Sequence, residues 1–223
     1  MQLRPPRTHL TLGRVRSYRF LGLLVALLLL LITSTFVGHD SPDRSALGLL
    51  FAIVLFAAGG AASTRRQERW VAAALALASS IILVGGLMLE HRAIYLPGLA
   101  LFTAFLAYTI HAVLTRMVSA PEIDADILCG AAAIYLLIGV AWAVTYWMIY
   151  EFDATAFTSL PKPGGPPLNF QDFGYYSLSC LTGLGIADMT PVNPFARIWT
   201  TLEPITGNLY IAVLVSRLVG LYR

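Results

Sequence analysis

The chemistry of this chain concentrates in one stretch, Asn169 to Pro191, which reads N-F-Q-D-F-G-Y-Y-S-L-S-C-L-T-G-L-G-I-A-D-M-T-P. Its first half has the pattern of a short helix, capped by Asn169 or Asp172. Its second half, Gly183-Leu184-Gly185-Ile186-Ala187-Asp188, is too rich in glycine to continue that helix. Long apolar runs flank the stretch, at 127–150 and 198–222. Irregular backbone at membrane depth must be shielded from lipid, where its N–H and C=O groups would go unsatisfied. It is tolerated where it is buried in protein or lines a water-filled path. The chemistry on offer is that of main-chain carbonyls lining such a path, as in an ion-selectivity filter.

Two side chains stand out beside it. Glu203 lies well inside the last apolar run and is followed by Pro204. Burying a bare carboxylate is costly, so this group is expected to be protonated or hydrogen-bonded. Two roles fit: bracing the short helix or the glycine-rich segment from behind, or capping the backbone groups that Pro204 frees. His111 is the titratable group of note in the run 94–115 besides tyrosines. An intramembrane ionisable residue is a functional candidate by default, but a lone histidine near a helix end is more often a hydrogen-bonded packing residue. No His/Asp/Glu cluster with metal-ligand spacing and no Ser/His pair on facing helices is evident, so the chain is not expected to be an enzyme. Cys129 and Cys180 both fall in helical runs and read as buried free thiols.

Positioning these groups is the work of membrane helices. The 223 residues are 57% hydrophobic and 12% charged, which excludes an ordinary soluble domain. Six apolar runs, 19–37, 46–63, 70–88, 94–115, 127–150 and 198–222, have roughly the 18 or more residues that a crossing needs. Small residues at Ala57-Ala58-Gly59-Gly60 and Gly85-Gly86 suit close helix packing. The first run follows a basic tail but is long for a signal peptide, so an uncleaved first helix is expected. Basic residues set the orientation. Arg4, Arg7, Arg14, Arg16 and Arg19 share one side with Arg65, Arg66, Arg69, Arg116, Arg217 and Arg223; the other side has Arg44, Arg92, Lys162 and Arg197. Both termini are therefore expected in the cytoplasm of a multi-pass plasma-membrane protein, with the 169–191 stretch entering from outside. The net charge of +3 reflects this topology and does not point to nucleic acid.

The linker 117–126 carries Pro121 and the acids Glu122, Asp124 and Asp126, and ends at an N-cap for the fifth helix. Trp142, Tyr146, Trp147 and Tyr150 near the far end of that helix suit an interfacial belt or a packing cuff. The loop Glu151–Phe170, with Pro161, Pro163, Pro166, Pro167 and Gly164-Gly165, reads as a proline-stiffened extracellular turret. Residues 94–115 contain no basic residue, and moving one charge through 100 mV is worth about 2.3 kcal/mol, so a voltage sensor would need several.

The order helix, short helix, glycine-rich strand, Asp-x-Thr-Pro, helix resembles the pore module of the potassium-channel superfamily. The matching residues are Ser177 to Thr182, Gly185 and Asp188-Met189-Thr190-Pro191, with Asn193-Pro194-Phe195-Ala196-Arg197 and Gly207-Asn208-Leu209-Tyr210 further on. The resemblance covers roughly residues 127–223. It implies a re-entrant pore helix and a filter from Thr182 through Gly183, Leu184, Gly185 and Ile186 to Ala187. The carbonyls of Gly183, Leu184, Gly185 and Ile186 would hold a monovalent cation. Asp188 would lie at the outer mouth, concentrating cations or bracing the filter; a turn ahead of Thr190-Pro191 is the plainer role. Gly207 would be a hinge of the inner helix, or else a site of close packing. Asn208, Ile211 and Val215, at i, i+3 and i+7, would line the cavity.

Family members usually carry T-V-G-Y-G, and three of five positions depart from it. Gly183 stands in place of Thr and removes a hydroxyl from the innermost site. Ile186 stands in place of Tyr and removes an outward tether. Ala187 stands in place of Gly, where a left-handed conformation would cost about 1–2 kcal/mol. Weakened potassium selectivity, selectivity kept by other tethers, or a collapsed filter could each follow.

The expected fold is an all-α membrane protein of six transmembrane helices with a re-entrant pore helix and filter loop between helices five and six, assembled as a tetramer. Its parts are a tail (1–18), a four-helix block (19–116) in the voltage-sensor position without an arginine ladder, the linker (117–126), and a pore domain (127–223). Within the pore domain the turret is 151–170, the pore helix and filter 171–191, and the inner helix 198–222. The expected activity is conduction of monovalent cations, potassium foremost, with no cofactor beyond the bound potassium or other monovalent cation, and with identical subunits and lipid as partners. The alternative is a non-conducting scaffold or sensor built on the same fold.

Overall fold

The computed structural model describes residues 18–34, 66–89, 92–120, 124–159, 168–186 and 188–221. In order the elements are α1 (Arg19–Ser34), α2 (Arg66–Met88), α3 (Arg92–Ser119), α4 (Ala125–Phe152), β1 (Phe157–Ser159), α5 (Phe170–Leu181), β2 (Met189–Pro191) and α6 (Pro194–Leu221). Almost all of the basic tail, the apolar run 46–63, residues 121–123 of the linker, residues 160–167 of the proline-rich loop, and Ala187 lie outside the described residues. Among those described, α3, α4 and Pro194–Arg217 of α6 are long and apolar enough to cross a membrane. The apolar stretches of α1 and α2, Phe20–Thr33 and Trp70–Gly86, are shorter.

α4 is the hub. It packs against α1, α3, α5 and α6, while α2 packs on α3. Half of its apolar window is buried, against 11% for α6. Its start is set by Asp124, in extended conformation, whose carboxylate accepts the N–H of Ile127 at 2.9 Å. That satisfies one of the orphan donors of a helix N-terminus. The 28 residues of α4 rise about 42 Å at 1.5 Å each, longer than the roughly 30 Å of hydrocarbon in a bilayer.

In lipid, burying leucine against leucine gains little, because acyl chains are equally apolar. Close backbone approach and interhelical hydrogen bonds, roughly 0.6–2 kcal/mol each, hold helices together. Both devices occur along α4. A Cβ on Gly130 would come within 3.1 Å of the Phe20 ring, so α1 lies tight against α4 there. Asp126, expected to serve its own helix dipole, reaches across to α1. Its Oδ1 accepts the N–H groups of Phe20 at 3.0 Å and Leu21 at 3.1 Å. The Arg116 guanidinium covers the Phe20 ring, 5.1 Å from its centroid.

At the other end the aromatic residues of α4 form a cuff. Tyr146 is fully buried, with Phe157 and Tyr176 set edge-on to its ring at 5.8 and 5.3 Å. Trp147 meets Phe173 at 5.6 Å and donates its indole N–H to the Tyr95 hydroxyl of α3 at 2.9 Å. β1 and β2 close this end as an antiparallel pair, Phe157 opposite Pro191 and Ser159 opposite Met189. The last helix begins at Pro194, four residues before its apolar run. Asn193 caps it, its Oδ1 accepting the Ala196 N–H at 2.7 Å, and proline suits the first helical position.

Candidate functional site

The site is built on α5, a twelve-residue helix between α4 and α6. Asn169 and Asp172 both cap it. The Asn169 Oδ1 accepts from the N–H groups of Gln171 and Asp172, and the Asp172 carboxylate accepts the Asn169 N–H at 2.8 Å. This reciprocal capping box fixes where the helix starts. Thr182 ends it, and the Thr182 hydroxyl turns back to donate to the Leu178 carbonyl at 2.7 Å.

Beyond Thr182 the backbone turns left-handed at two glycines. Gly183 has φ of +75° and Gly185 of +63°, with open space around both. A side chain at either would be strained by about 1–2 kcal/mol. Glycine at 183, where the resemblance has Thr, is therefore demanded by this backbone. Residues 182–186 and Asp188 are exposed, Leu184 at 65% and Ile186 at 60%.

The exposed segment is tied to α5 at several points. Ser179 holds two of them: its carbonyl accepts the Gly185 N–H at 3.2 Å, and its hydroxyl accepts the Ile186 N–H at 2.9 Å. The Tyr175 hydroxyl donates to the Ile186 carbonyl at 3.2 Å. Ile186 is thus tied to α5 through both its N–H and its carbonyl. Downstream, pairing of β2 with β1 and the Val192 N–H donating to the Ala156 carbonyl at 2.8 Å pin the exit.

Glu203 lies behind α5 with no exposure. Its Oε2 is 2.6 Å from the Tyr146 hydroxyl of α4 and its Oε1 is 2.5 Å from the Ser177 hydroxyl of α5. Its carboxyl thus joins α6 to both α4 and α5. Ser177 also lies 2.7 Å from the Gly139 carbonyl. Gly139 and Gly207 let three helices converge here. A Cβ on Gly139 would meet Leu178 at 3.1 Å, and one on Gly207 would come within 2.5 Å of the Leu181 carbonyl. α6 runs through Gly207 without a break. The Tyr135 hydroxyl donates to that same Leu181 carbonyl at 3.0 Å.

Asn208, Ile211 and Val215 are exposed on α6, away from the face that carries Glu203, Gly207 and Tyr210. His111 is exposed on α3. At the sheet end, Asp153 accepts from the Thr155 hydroxyl at 2.6 Å, the Asn193 amide at 2.9 Å and the Thr155 N–H at 2.9 Å. These bonds, the Thr155 hydroxyl first, hold its carboxyl below the usual range. No group of metal-ligating side chains is found among the described residues.

Sequence reasoning did not single out Tyr175, Ser179 or Tyr146 for these contacts. Ser179 was legible only as part of the motif, and Tyr146 only as one aromatic of a belt. The fold and site define a mainly helical protein suited to a membrane, with an exposed glycine segment held between two apolar helices. Neither a family model, nor a curated protein, nor a solved structure matches this chain.

Proposed function

We propose that the chain is the subunit of a tetrameric channel for monovalent cations in the plasma membrane, with both termini cytoplasmic. α5 would be the re-entrant pore helix and residues 182–187 the filter. α6 would be the inner helix and α4 the outer one. The helices ahead of α4, including the run 46–63, would form the outer block. The observation that carries the reading is the segment Gly183–Ile186. It is exposed irregular backbone between two helices long enough to cross a bilayer, and lipid does not tolerate that unless protein or water covers it. Four copies around an axis would supply that cover and bring the carbonyls of Gly183, Leu184 and Gly185 to one path. The largely uncovered α6, with polar Asn208 on its exposed face, agrees with this.

The tethers from Ser179 and Tyr175 support a carbonyl-lined filter kept open by bonds other than those of the family pattern. With the Ile186 carbonyl engaged by Tyr175, the outermost ion layer is weakened and discrimination between potassium and sodium is reduced. The test is purified protein in liposomes under opposed potassium and sodium gradients. Currents with a reversal potential between zero and the potassium limit are expected. A reversal at the potassium limit would overturn the weakened filter. Silence under every gradient would favour the non-conducting scaffold.

A further inference from the structure

The contacts around Ser177 pose a question of proton count. A serine hydroxyl has one hydrogen. The Ser177 oxygen lies 2.7 Å from the Gly139 carbonyl and 2.5 Å from Glu203 Oε1, both hydrogen-bonding distances. A main-chain carbonyl can only accept, so the serine hydrogen belongs to Gly139. Otherwise two lone pairs would face each other at 2.7 Å in a buried site. The second hydrogen must then come from Glu203.

We infer that Glu203 is a neutral carboxylic acid whose proton fastens α5 to α4 and α6 and thereby positions the segment 183–186. Every hydrogen then has one place. Tyr146 donates to the Glu203 carbonyl oxygen, the Glu203 acid hydroxyl donates to Ser177, and Ser177 donates to Gly139. The surroundings agree with a neutral group. The titratable neighbours of Glu203 are Tyr146 and Tyr135 from α4 and Tyr176 and Cys180 from α5, all uncharged while they keep their protons. Among the described residues, the groups bonded to its carboxyl oxygens are hydroxyls.

The consequence reaches the exposed segment through two residues of helix. Ser177 is two positions before Ser179, whose hydroxyl and carbonyl hold the N–H groups of Ile186 and Gly185. Loss of the Glu203 proton puts a buried charge beside Ser177 and removes the donor to it. The serine hydrogen then turns from Gly139 to the carboxylate, α5 loses the Ser177 bond to α4, and the tie at Ser179 loosens. Glu203 is a positioning residue in this scheme and needs no contact with an ion.

The inference does not rest on the channel reading, and its test reads the protein directly. Full-length protein carrying 13C-glutamate, in lipid bilayers at neutral pH, is compared with E203Q by infrared spectroscopy. A carboxylic-acid carbonyl band that shifts with the label and is absent from E203Q is expected; absence of such a band from the wild-type protein overturns the inference. Hydrogen exchange of residues 183–186 gives the second arm. Glutamine reproduces the neutral acid, its amide donating to Ser177 and its carbonyl accepting from Tyr146. E203Q is therefore expected to exchange as slowly as wild type, and E203A roughly tenfold faster, the equivalent of about one lost hydrogen bond. E203Q exchanging as fast as E203A would show that a carboxylate had been removed and would sink the proposal. Should E203A fail to fold, the labelled wild type and E203Q still decide.

Discussion

Ser179 does more for the exposed segment than any other single residue, because both its hydroxyl and its carbonyl accept from it. Ser179→Ala leaves the Ile186 N–H without that acceptor, at a cost of about 0.5–1.5 kcal/mol, because the exposed segment lets water take its place. Faster amide exchange at Ile186 is expected, with α5 itself unchanged; equal exchange in the variant would mean that the hydroxyl holds nothing. Gly185→Ala acts on the same segment by a different route. It forces a side chain onto a φ of +63°, about 1–2 kcal/mol of strain, although the space around it is open. Asp153 adds a pH dependence whose sign can be worked out. Its carboxyl is held below the usual range by Thr155 and Asn193, so the charged form is favoured in the folded protein. That stability is present above about pH 4, the ordinary aspartate value, and is lost as pH falls below it. Acidification should free Asn193 and disturb the Trp142–Trp199 contact, 5.6 Å between ring centroids. Tryptophan fluorescence should change below about pH 4 in the wild type and not in Asp153→Asn. Residues such as these were only partly legible. Gly183 and Gly185 announced irregular backbone, but that Gly183 needs a positive φ depends on a turn no composition specifies. Tyr175 and Ser179 became tethers only through the direction in which the chain leaves Thr182.

Among the elements, α4 decides how the rest assemble, and its two ends were read with different success. The capping box of α5 and the Asp124 cap of α4 were written locally, three residues apart in each case, and local patterns survive folding. The bond from Asp126 to the start of α1 spans 106 residues, and nothing local distinguishes it from an acid serving its own helix dipole. The same holds for Glu203, where the sequence marked a buried carboxyl but left open whether it faced Pro204 or another helix. Asp126→Ala should leave the Phe20 and Leu21 N–H groups unmatched at once, about 1–3 kcal/mol of lost stability. Limited proteolysis near the start of α1 should quicken before the bundle melts; unchanged cleavage there would show that α1 is held by packing alone. Gly207→Ala tests the opposite seam. The added carbon would lie 2.5 Å from the Leu181 carbonyl, so α6 must back away from the end of α5. The melting temperature should fall, and exchange should rise in residues 182–186 as well as in α6.

At the scale of the whole molecule, the burial of the helices is lopsided. α4 hides half of its apolar window and α6 only 11%, yet α6 carries Glu203, Gly207 and Asn208 along its length. In a lone subunit the Asn208 amide would face hydrocarbon. An amide there without a hydrogen-bond partner costs several kcal/mol, more than a few van der Waals contacts return. In the proposed tetramer a water-filled space ringed by identical subunits would remove that cost and would also cover the 183–186 segment. The face of Asn208, Ile211 and Val215 should then look inward across an axis. Val215→Cys, introduced with Cys129 and Cys180 replaced by Ala, is expected to form intersubunit disulfides under mild oxidation, and native mass measurement in detergent should give four chains. Leu209 lies about 100° round α6 from Asn208, so Leu209→Cys should crosslink poorly, because that position would face lipid or a neighbouring helix. Equal crosslinking at both positions would mean random collision. A single-chain mass, with water-soluble thiol reagents failing to reach Val215→Cys, would show that α6 meets lipid on that side and that no shared path exists.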